Sequence, residues 1–398
     1  MQRTVRLKLE PTPEQTIALI ETIKQHTACY NVVARHGWDT NTKNGVTLHK
    51  DTYYSLREQF PQLPSQLIIS ARMRATESLV SAFTLRKKKN RKGELKKVSC
   101  PHASFATIRF DVRSYRFNVK QSLAHLSTVA GRLPIPFKAY AWAQAQLVQA
   151  EGFDSADLIY RDGSFFLHLV IALPDPIAAQ SEQVIGVDFG ETRPAVTSNN
   201  LFFGERRWKS IERRYFRLKR QLQSKGTRSA KRKLKRLAQT VTRFRSDCDH
   251  VVSRRVVDSV APGSTIVVEN LTEIRTNGKR RGTEQRRQFH QWTFARLREL
   301  ITYKAAAKGC SVVGIDPRHT SQTCSKCGYQ HRSNRKSQAG FRCRECGYQL
   351  NADLNGARNI ARKHLVSGGI SVAGGRPVNT PIVTTLVDCH PLVTSPSL

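Results

Sequence analysis

Between His319 and Asn359 the chain carries two CxxCG turns, Cys324/Cys327/Gly328 and Cys343/Cys346/Gly347, with fifteen residues between the pairs. Four thiolates at that spacing read as a tetrahedral zinc site, which can order a short segment too small to bury a core of its own. A thioredoxin-like redox motif would need a single pair beside a βαβ pattern, whereas both pairs here precede glycine, as in zinc knuckles. The other five cysteines, Cys29, Cys100, Cys248, Cys310 and Cys389, show no disulfide spacing and read as small buried or neutral residues. Directly after the second pair comes Asn351-Ala352-Asp353-Leu354-Asn355-Gly356-Ala357-Arg358-Asn359. The rest of the chain raises the question of what such a module serves.

Charge narrows the answer. Among 398 residues, 66 Lys and Arg stand against 30 Asp and Glu, a formal net charge of +36. Self-repulsion of that size is relieved by a polyanion, which points to nucleic acid. A basic membrane-surface protein is the competitor, but the sequence has neither a run of eighteen apolar residues nor a Trp/Phe-rich basic amphipathic helix. The first residues alternate apolar and basic side chains like a strand and lack the apolar core of a signal peptide, so a cytoplasmic protein is expected.

Taken in order, Val5, Leu7 and Leu9 predict a half-buried strand ending at Pro11. Thr12 offers an N-cap, Pro13 suits the first helical position, and Gln15 completes a capping box for a helix running towards Tyr30. A second helix is expected from Pro64-Ser65, with Ile68, Ala71, Ala75, Leu79 and Phe83 at helical spacing. Residues 86 to 97 hold eight Lys or Arg. Of these, Arg86, Lys87, Lys88 and Lys89 are candidate contacts to a phosphate backbone, with a merely solvated run as the alternative. From about Ala106 to Ala172 short alternating segments suggest a small β-barrel or sandwich that pairs with the N-terminal strand and leaves residues 13 to 84 as an insertion. Leu173-Pro174-Asp175-Pro176 reads as a linker to a different domain.

Beyond it, Val184 to Val187 form an apolar run that ends in Asp188, and Pro194 to Ser198 read as a second strand. Residues 206 to 255 carry 19 Lys or Arg against three acids. A thin stripe of Leu218, Leu222, Leu234 and Leu237, broken at Gly226, predicts a helical hairpin laid on the core with a positive outer face. Arg228, Lys231, Arg232 and Lys235 are its candidate nucleic-acid contacts. Thr265 to Val268 repeat the earlier device and end in Glu269. A helix from Trp292 to Lys304, with Trp292, Leu297, Leu300 and Tyr303 inward, and a strand over 311–315 complete an α/β layer. None of the histidines forms an HExxH pair, and His319 and His331 read as ordinary surface residues.

Three acids thus hold comparable places: Asp188 and Glu269 at strand ends, and Asp353 at the start of a helix with Ala357 and Ile360 inward. Each alone is more often structural than catalytic. Together they would repel one another unless divalent cations held them, and their oxygen ligands suit Mg2+ or Mn2+. Two such ions could activate a water and stabilise the leaving oxygen of a phosphodiester, which is nuclease chemistry.

Asp188 in GVDFG, Glu269 in VVENL, Thr320-Ser321-x-x-Cys324-x-x-Cys327-Gly328 and Asp353 in NADLNGARNI together resemble the TnpB family, which insertion sequences encode and which is related to type V CRISPR effectors. The match runs from about residue 184 to 362, with Glu191 and Pro194 departing from the usual apolar residues. The resemblance implies an RNase H-like (RuvC) nuclease domain over 181–318 and 350–366, interrupted by a zinc ribbon over 319–349. It also implies a β-barrel wedge domain over 1–10 and 100–176 and a helical recognition domain over 11–99, while 367–398 reads as a disordered tail. It implies RNA-guided cleavage of double-stranded DNA beside a short flanking motif. Asp188, Glu269 and Asp353 become the catalytic Mg2+ or Mn2+ ligands, and Cys324, Cys327, Cys343 and Cys346 the zinc ligands. A nuclease-inactive RNA-guided repressor, a transposase that joins DNA strands, and a structural RNA-binding zinc-ribbon protein are the alternatives.

Overall fold

Val5, Leu7 and Leu9 are almost fully buried in β1 (Gln2–Leu9) of the computed structural model, which describes residues 1–90, 93–176, 181–190, 193–271 and 294–367. The chain divides into two units, Met1–Pro174 and one beginning at Asp175, with the division inside the proline-bearing segment at 173–176.

In the first unit, β1 is followed by three helices, α1 (Pro13–Asp39), α2 (Gly45–Gln59) and α3 (Ser65–Arg86). Thr12 caps α1 as expected: its hydroxyl accepts from the Gln15 amide while the Gln15 side chain accepts from the Thr12 amide. The helix runs beyond Tyr30 to Asp39 because Val33, Ala34 and Gly37 continue the buried stripe. Helix α2 was not legible from periodicity. Its inward face is only Leu48, Thr52 and Leu56, and the Thr52 hydroxyl is satisfied by the Leu48 carbonyl at 2.6 Å.

Strands β2 (Ile108–Phe110), β3 (Tyr115–Asn118), β4 (Leu123–Thr128), β5 (Gly131–Lys138), β6 (Gly152–Arg161) and β7 (Ser164–Ala172), with α4 (Ala141–Val148) between β5 and β6, complete the unit. The sheet order is β2-β6-β7-β1-β5-β4-β3, so the N-terminal strand is central, pairing antiparallel with both β7 and β5. The sheet curls until its β3 edge approaches β6. There Phe117 packs on Phe153 at 5.1 Å between ring centroids, and the Tyr115 hydroxyl donates to the Asp154 carbonyl at 2.9 Å.

In the second unit the elements are β8 (Val184–Asp188), β9 (Ala195–Thr197), β10 (Phe202–Phe203), α5 (Arg206–Lys225), α6 (Arg228–Asp258), β11 (Thr265–Glu269), α7 (Phe294–Ala306), β12 (Ser311–Ile315), β13 (Gly340–Arg342), β14 (Gln349–Asn351) and α8 (Ala352–Val366). The five-stranded sheet has the order β10-β9-β8-β11-β12, with β8, β11 and β12 parallel. One face carries Ile185, Val187, Ile266 and Val268 against Val252 and Val256 of α6 and Leu297 and Ile301 of α7. On the other, Val267 and Ile315 pack on Ile360 of α8. Both faces are covered, as a parallel sheet of near-continuous apolar strands requires.

Two expectations are corrected here. The leucine stripe of the basic hairpin is not laid on the core: α5 has no buried residue, Leu218 is 40% exposed, and α6 packs through Val252, Val256 and Val257 instead. The leucines face a seam between two long helices, and only the C-terminal half of α6 reaches the sheet. Tyr303, expected inward, is 41% exposed because the packed stripe of α7 is Phe294, Leu297, Leu300 and Ile301. Trp292, Glu191 and residues 368–398 lie outside the described residues. Among the described residues, no helix is long and apolar enough to cross a membrane.

One buried side chain sets an acid limit on the first unit. His26 of α1 is fully buried, neither ring nitrogen has a hydrogen-bond partner, and burial followed by the charge of Arg74 pushes its pKa down to about 3 from 6.5. The unfolded chain therefore takes up a proton below pH 6.5 that the folded one refuses until about pH 3. Stability falls with pH across that window by about 1.4 kcal/mol per pH unit. His26→Met should remove this slope, so that the melting temperature of the variant rises relative to that of wild type as the pH is lowered from 7.5 to 5.

Candidate active site and metal centre

The register of the parallel strands brings the first two acids together. Val187 of β8 is level with Val268 of β11, so Asp188 and Glu269, one residue further on, end neighbouring strands side by side. Alternation along each strand turns both away from the α6/α7 face and towards α8. The third acid arrives on α8, where the Asn351 side chain accepts from the amides of Asp353 and Leu354 and fixes the first turn.

The approach of α8 to β8 needs two glycines. A Cβ at Gly186 would lie 2.1 Å from the Ala357 carbonyl oxygen and 2.6 Å from the Ala361 amide, so helix backbone rests directly on strand backbone. A Cβ at Gly356 would meet Oδ2 of Asp188 at 2.9 Å. With neither side chain in the way, Asp353 reaches the pocket that holds Asp188 and Glu269.

All three carboxyls resist ionisation. Burial raises the pKa of Asp188 well above the usual carboxylate range, and the charges of Glu269 and Asp353 add to it. Burial also raises Glu269, partly offset by the Thr320 hydroxyl, which donates to its Oε1 at 2.6 Å. Burial raises Asp353 against the pull of Arg335 and Arg193. A cation placed among these oxygens would relieve both the desolvation and the repulsion, and all-oxygen donors fit Mg2+ or Mn2+.

Arg335 was not among the residues singled out from the sequence. It follows a short 3-10 turn between the two cysteine pairs, and its guanidinium lies 3.6 Å from Oδ1 of Asp353. Its positive charge lowers the pKa of all three acids. Nothing in its local sequence marks it off from the other basic residues nearby; only the fold of the ribbon carries it to the pocket.

The four cysteines meet as the spacing predicted. Their sulfurs all lie within 4.8 Å of one another, with Cys327 and Cys343 3.6 Å apart and Cys324 and Cys346 3.8 Å apart. Four sulfurs at a Zn–S distance of about 2.3 Å stand about 3.8 Å apart at the corners of a tetrahedron, so the set could hold zinc. Each pair sits in a knuckle closed by a backbone bond, Cys324 to Tyr329 and Cys343 to Tyr348, both 2.9 Å. Burial raises the Cys324 thiol. For Cys343 burial acts the same way, but hydrogen bonds from the amides of Cys346 and Glu345 and from the Cys327 and Cys346 thiols together bring the thiol down to about 7.

The eight basic candidates are all exposed. Arg86 ends α3 in the first unit and Lys87 to Lys89 follow it, with the Arg86 guanidinium 5.6 Å from the centre of the Trp38 ring. Arg228, Lys231, Arg232 and Lys235 line the first turns of α6 in the second. Beside them, the unburied seam of the hairpin forms a groove of about 700 Å3, lined by Leu218, Leu222 and Leu237 and by Lys225, Lys233 and Arg236.

Residues 168–275 match the family model of the OrfB_IS605 probable transposase, and residues 294–360 that of the Cas12f1-like TNB domain. Of the curated proteins, the CRISPR-associated endodeoxyribonuclease Cas12f1 of Sulfoacidibacillus thermotolerans is 43% identical over 130 residues, 32% of this chain and 29% of that one. The "Putative RNA-guided DNA endonuclease InsQ" of Escherichia coli is 32% identical over 218 residues, 50% of this chain and 54% of that one. The TnpB-like protein of Aquifex aeolicus is 34% identical over 113 residues, 27% of this chain and 37% of that one. The chain thus spans about half or less of the length of these relatives. The structure of the mini-RNA-guided endonuclease CRISPR-Cas_phi3 shares the fold, with a TM-score of 0.52 over 91% of this chain and 92% of that one at 11% identity. The resemblance to the TnpB family is borne out by these matches.

Two measurements check the geometry. Because burial and the charges of Glu269 and Asp353 disfavour ionised Asp188 when no cation is bound, Asp188→Asn should raise the melting temperature of the metal-free protein by a few degrees at pH 7.5. That gain should vanish below about pH 4, where ordinary carboxyls in the unfolded chain are protonated too. Cys343→Ser should lose the bound zinc, read by metal analysis, and melt earlier, since zinc in a thiolate site contributes to folding directly. Retention of both would exclude the four-thiolate site.

Proposed function

We propose that this chain is the RNA-guided DNA endonuclease of a transposable element, cutting phosphodiester bonds with divalent metal at Asp188, Glu269 and Asp353. The observation that carries the reading is the convergence of these three half-buried carboxylates from the ends of two neighbouring parallel strands and the first turn of a packed helix. Structural acids are rarely grouped where burial raises all three and the charges of two raise the third, as Glu269 and Asp353 do for Asp188; such grouping is characteristic of a functional site.

In this reading the second unit is an RNase H-like (RuvC) nuclease domain, 181–318 with 350–366, into which the zinc ribbon 319–349 is inserted. The first unit joins a wedge barrel, 1–10 with 100–176, to a helical recognition domain, 11–99. Two Mg2+ or Mn2+ ions, when bound, supply water activation and stabilisation of the leaving oxygen. The residues of the chain do the rest. Asp188, Glu269 and Asp353 hold the ions in a site walled by β8, β11 and α8. Thr320 orients the Glu269 carboxylate through its hydroxyl. Arg335 offers a guanidinium at the pocket, where it can contact a phosphate.

The partners are a guide RNA and double-stranded target DNA in the cytoplasm. Base pairing supplies the sequence, while exposed Lys and Arg hold the backbone of the heteroduplex. Arg86 to Lys89 and the α6 set Arg228, Lys231, Arg232 and Lys235 are assigned to that backbone role. Their contribution falls with rising salt, because each phosphate contact releases counterions.

Incubation of the purified protein with supercoiled DNA, Mg2+ and its co-purifying RNA tests the proposal. Wild type should cut and Asp188→Ala should not, with guide-dependent DNA binding retained by the variant. Full cleavage by Asp188→Ala would overturn the assignment of the acids. Strand joining without RNA would indicate a transposase, and binding with neither cutting nor joining a repressor.

A further inference from the structure

Helix α8 carries two asparagines one turn apart, Asn355 and Asn359, that the metal chemistry does not use. Asn355 is fully buried and Asn359 is 5% exposed. Both face the first knuckle of the ribbon. Asn355 donates from Nδ2 to the Thr323 carbonyl at 2.8 Å and accepts at Oδ1 from the Ser325 amide at 3.0 Å. Asn359 donates from Nδ2 to the carbonyls of Thr320 and Thr323, at 2.8 and 2.6 Å. Its Oδ1 is buried without a partner. Turning the amide over would set that oxygen against two carbonyls, so the orientation is fixed, and the unsatisfied oxygen shows that packing alone did not choose this residue.

These bonds grip backbone atoms of residues 320–325, the turn segment of the first knuckle that contains Cys324. From the same segment Thr320 sends its hydroxyl to Glu269. On the helix side, Asp353 lies two residues before Asn355, and Gly356 lies against Asp188. Each of the three acids is therefore reached from the knuckle. Glu269 is reached through Thr320, Asp353 through the first turn of α8, and Asp188 through the helix backbone on which it rests.

We propose that Thr320, Asn355 and Asn359 are positioning residues that make the divalent-ion affinity of the carboxylate pocket depend on a zinc-ordered ribbon. The proposal rests on the nuclease reading above. It assigns the ribbon a part in setting the acid geometry, beyond holding its own fold. Hydrogen-bonded groups behind metal ligands characteristically alter metal affinity by about 10-fold to 100-fold when removed, and that is the size expected here.

The test uses the full-length zinc-loaded protein with Mn2+ as probe, comparing wild type, Thr320→Val, Thr320→Ser and Asn359→Leu. Thr320→Val and Asn359→Leu should keep their zinc yet bind Mn2+ about 10-fold or more weakly, whereas Thr320→Ser, which restores the hydroxyl, should return towards wild type. Removing zinc from wild type should weaken Mn2+ binding similarly, and removing it from Asn359→Leu should weaken it little further, because both act through one linkage. Amide exchange without Mn2+ gives an independent readout: residues 352–357 should lose protection in Asn359→Leu and in zinc-stripped wild type, while 184–188 and 265–269 keep theirs. Unchanged Mn2+ affinity with unchanged exchange, or fully additive losses, would overturn the proposal. Mn2+ binding by wild type that survives Asp188→Ala would instead defeat the nuclease reading, leaving exchange to decide whether the ribbon orders α8. Should Asn359→Leu fail to fold, the Thr320→Val and Thr320→Ser pair carries the comparison.

Discussion

Three half-buried carboxylates brought together where burial already disfavours their charge form the constraint to which the second unit answers. Burial alone raises each pKa, and the neighbouring charges raise Asp188 further. A fold tolerates such a cluster only if its scaffold is held by other forces. Here those are the apolar contacts of Ile185, Val187, Ile266 and Val268 on one side of the sheet and the backbone-on-backbone seating of α8 on the other. The hydrophobic layers hold the acids where electrostatics would drive them apart, so stability is given up locally at a site that can do chemistry.

Much of this was legible in the sequence, because the signals were short-range and strong. A β-branched run that ends in one acid, twice, needs no tertiary knowledge to read as a strand end, and CxxCG repeated at ribbon spacing is close to unambiguous. The capping box at Thr12 and the split of the basic hairpin at Gly226 were equally local, and the structure has both. The hidden parts depended on what packs against what. Helix α2 shows too narrow an apolar stripe to declare itself, and β6 carries a register shift between Phe153 and Ala156 that breaks its alternation.

The misreadings share a cause. Leucines at helical spacing in α5 look the same whether they meet a core or merely a sister helix, and Tyr303 sits at a spacing that fits the inward stripe without belonging to it. Periodicity reports that a helix has two faces, not which one is covered. Arg335 and the two asparagines escaped for the opposite reason. Arg335 has no pattern, the asparagines sit in the segment that carries Asp353 without a role of their own there, and all three acquire meaning only because the ribbon folds back beside the helix that follows it.

The place of the ribbon in the chain has a consequence for how the protein comes to exist. Asp188 and Glu269 are synthesised early and belong to one sheet, but Asp353 emerges only after the whole cysteine module has left the ribosome. Until that module has formed, a nascent or truncated chain has two of the three acids and no third element to close the pocket. A polypeptide already strongly basic thus reaches its complete carboxylate set last, because the ribbon interrupts the chain before the helix that carries Asp353.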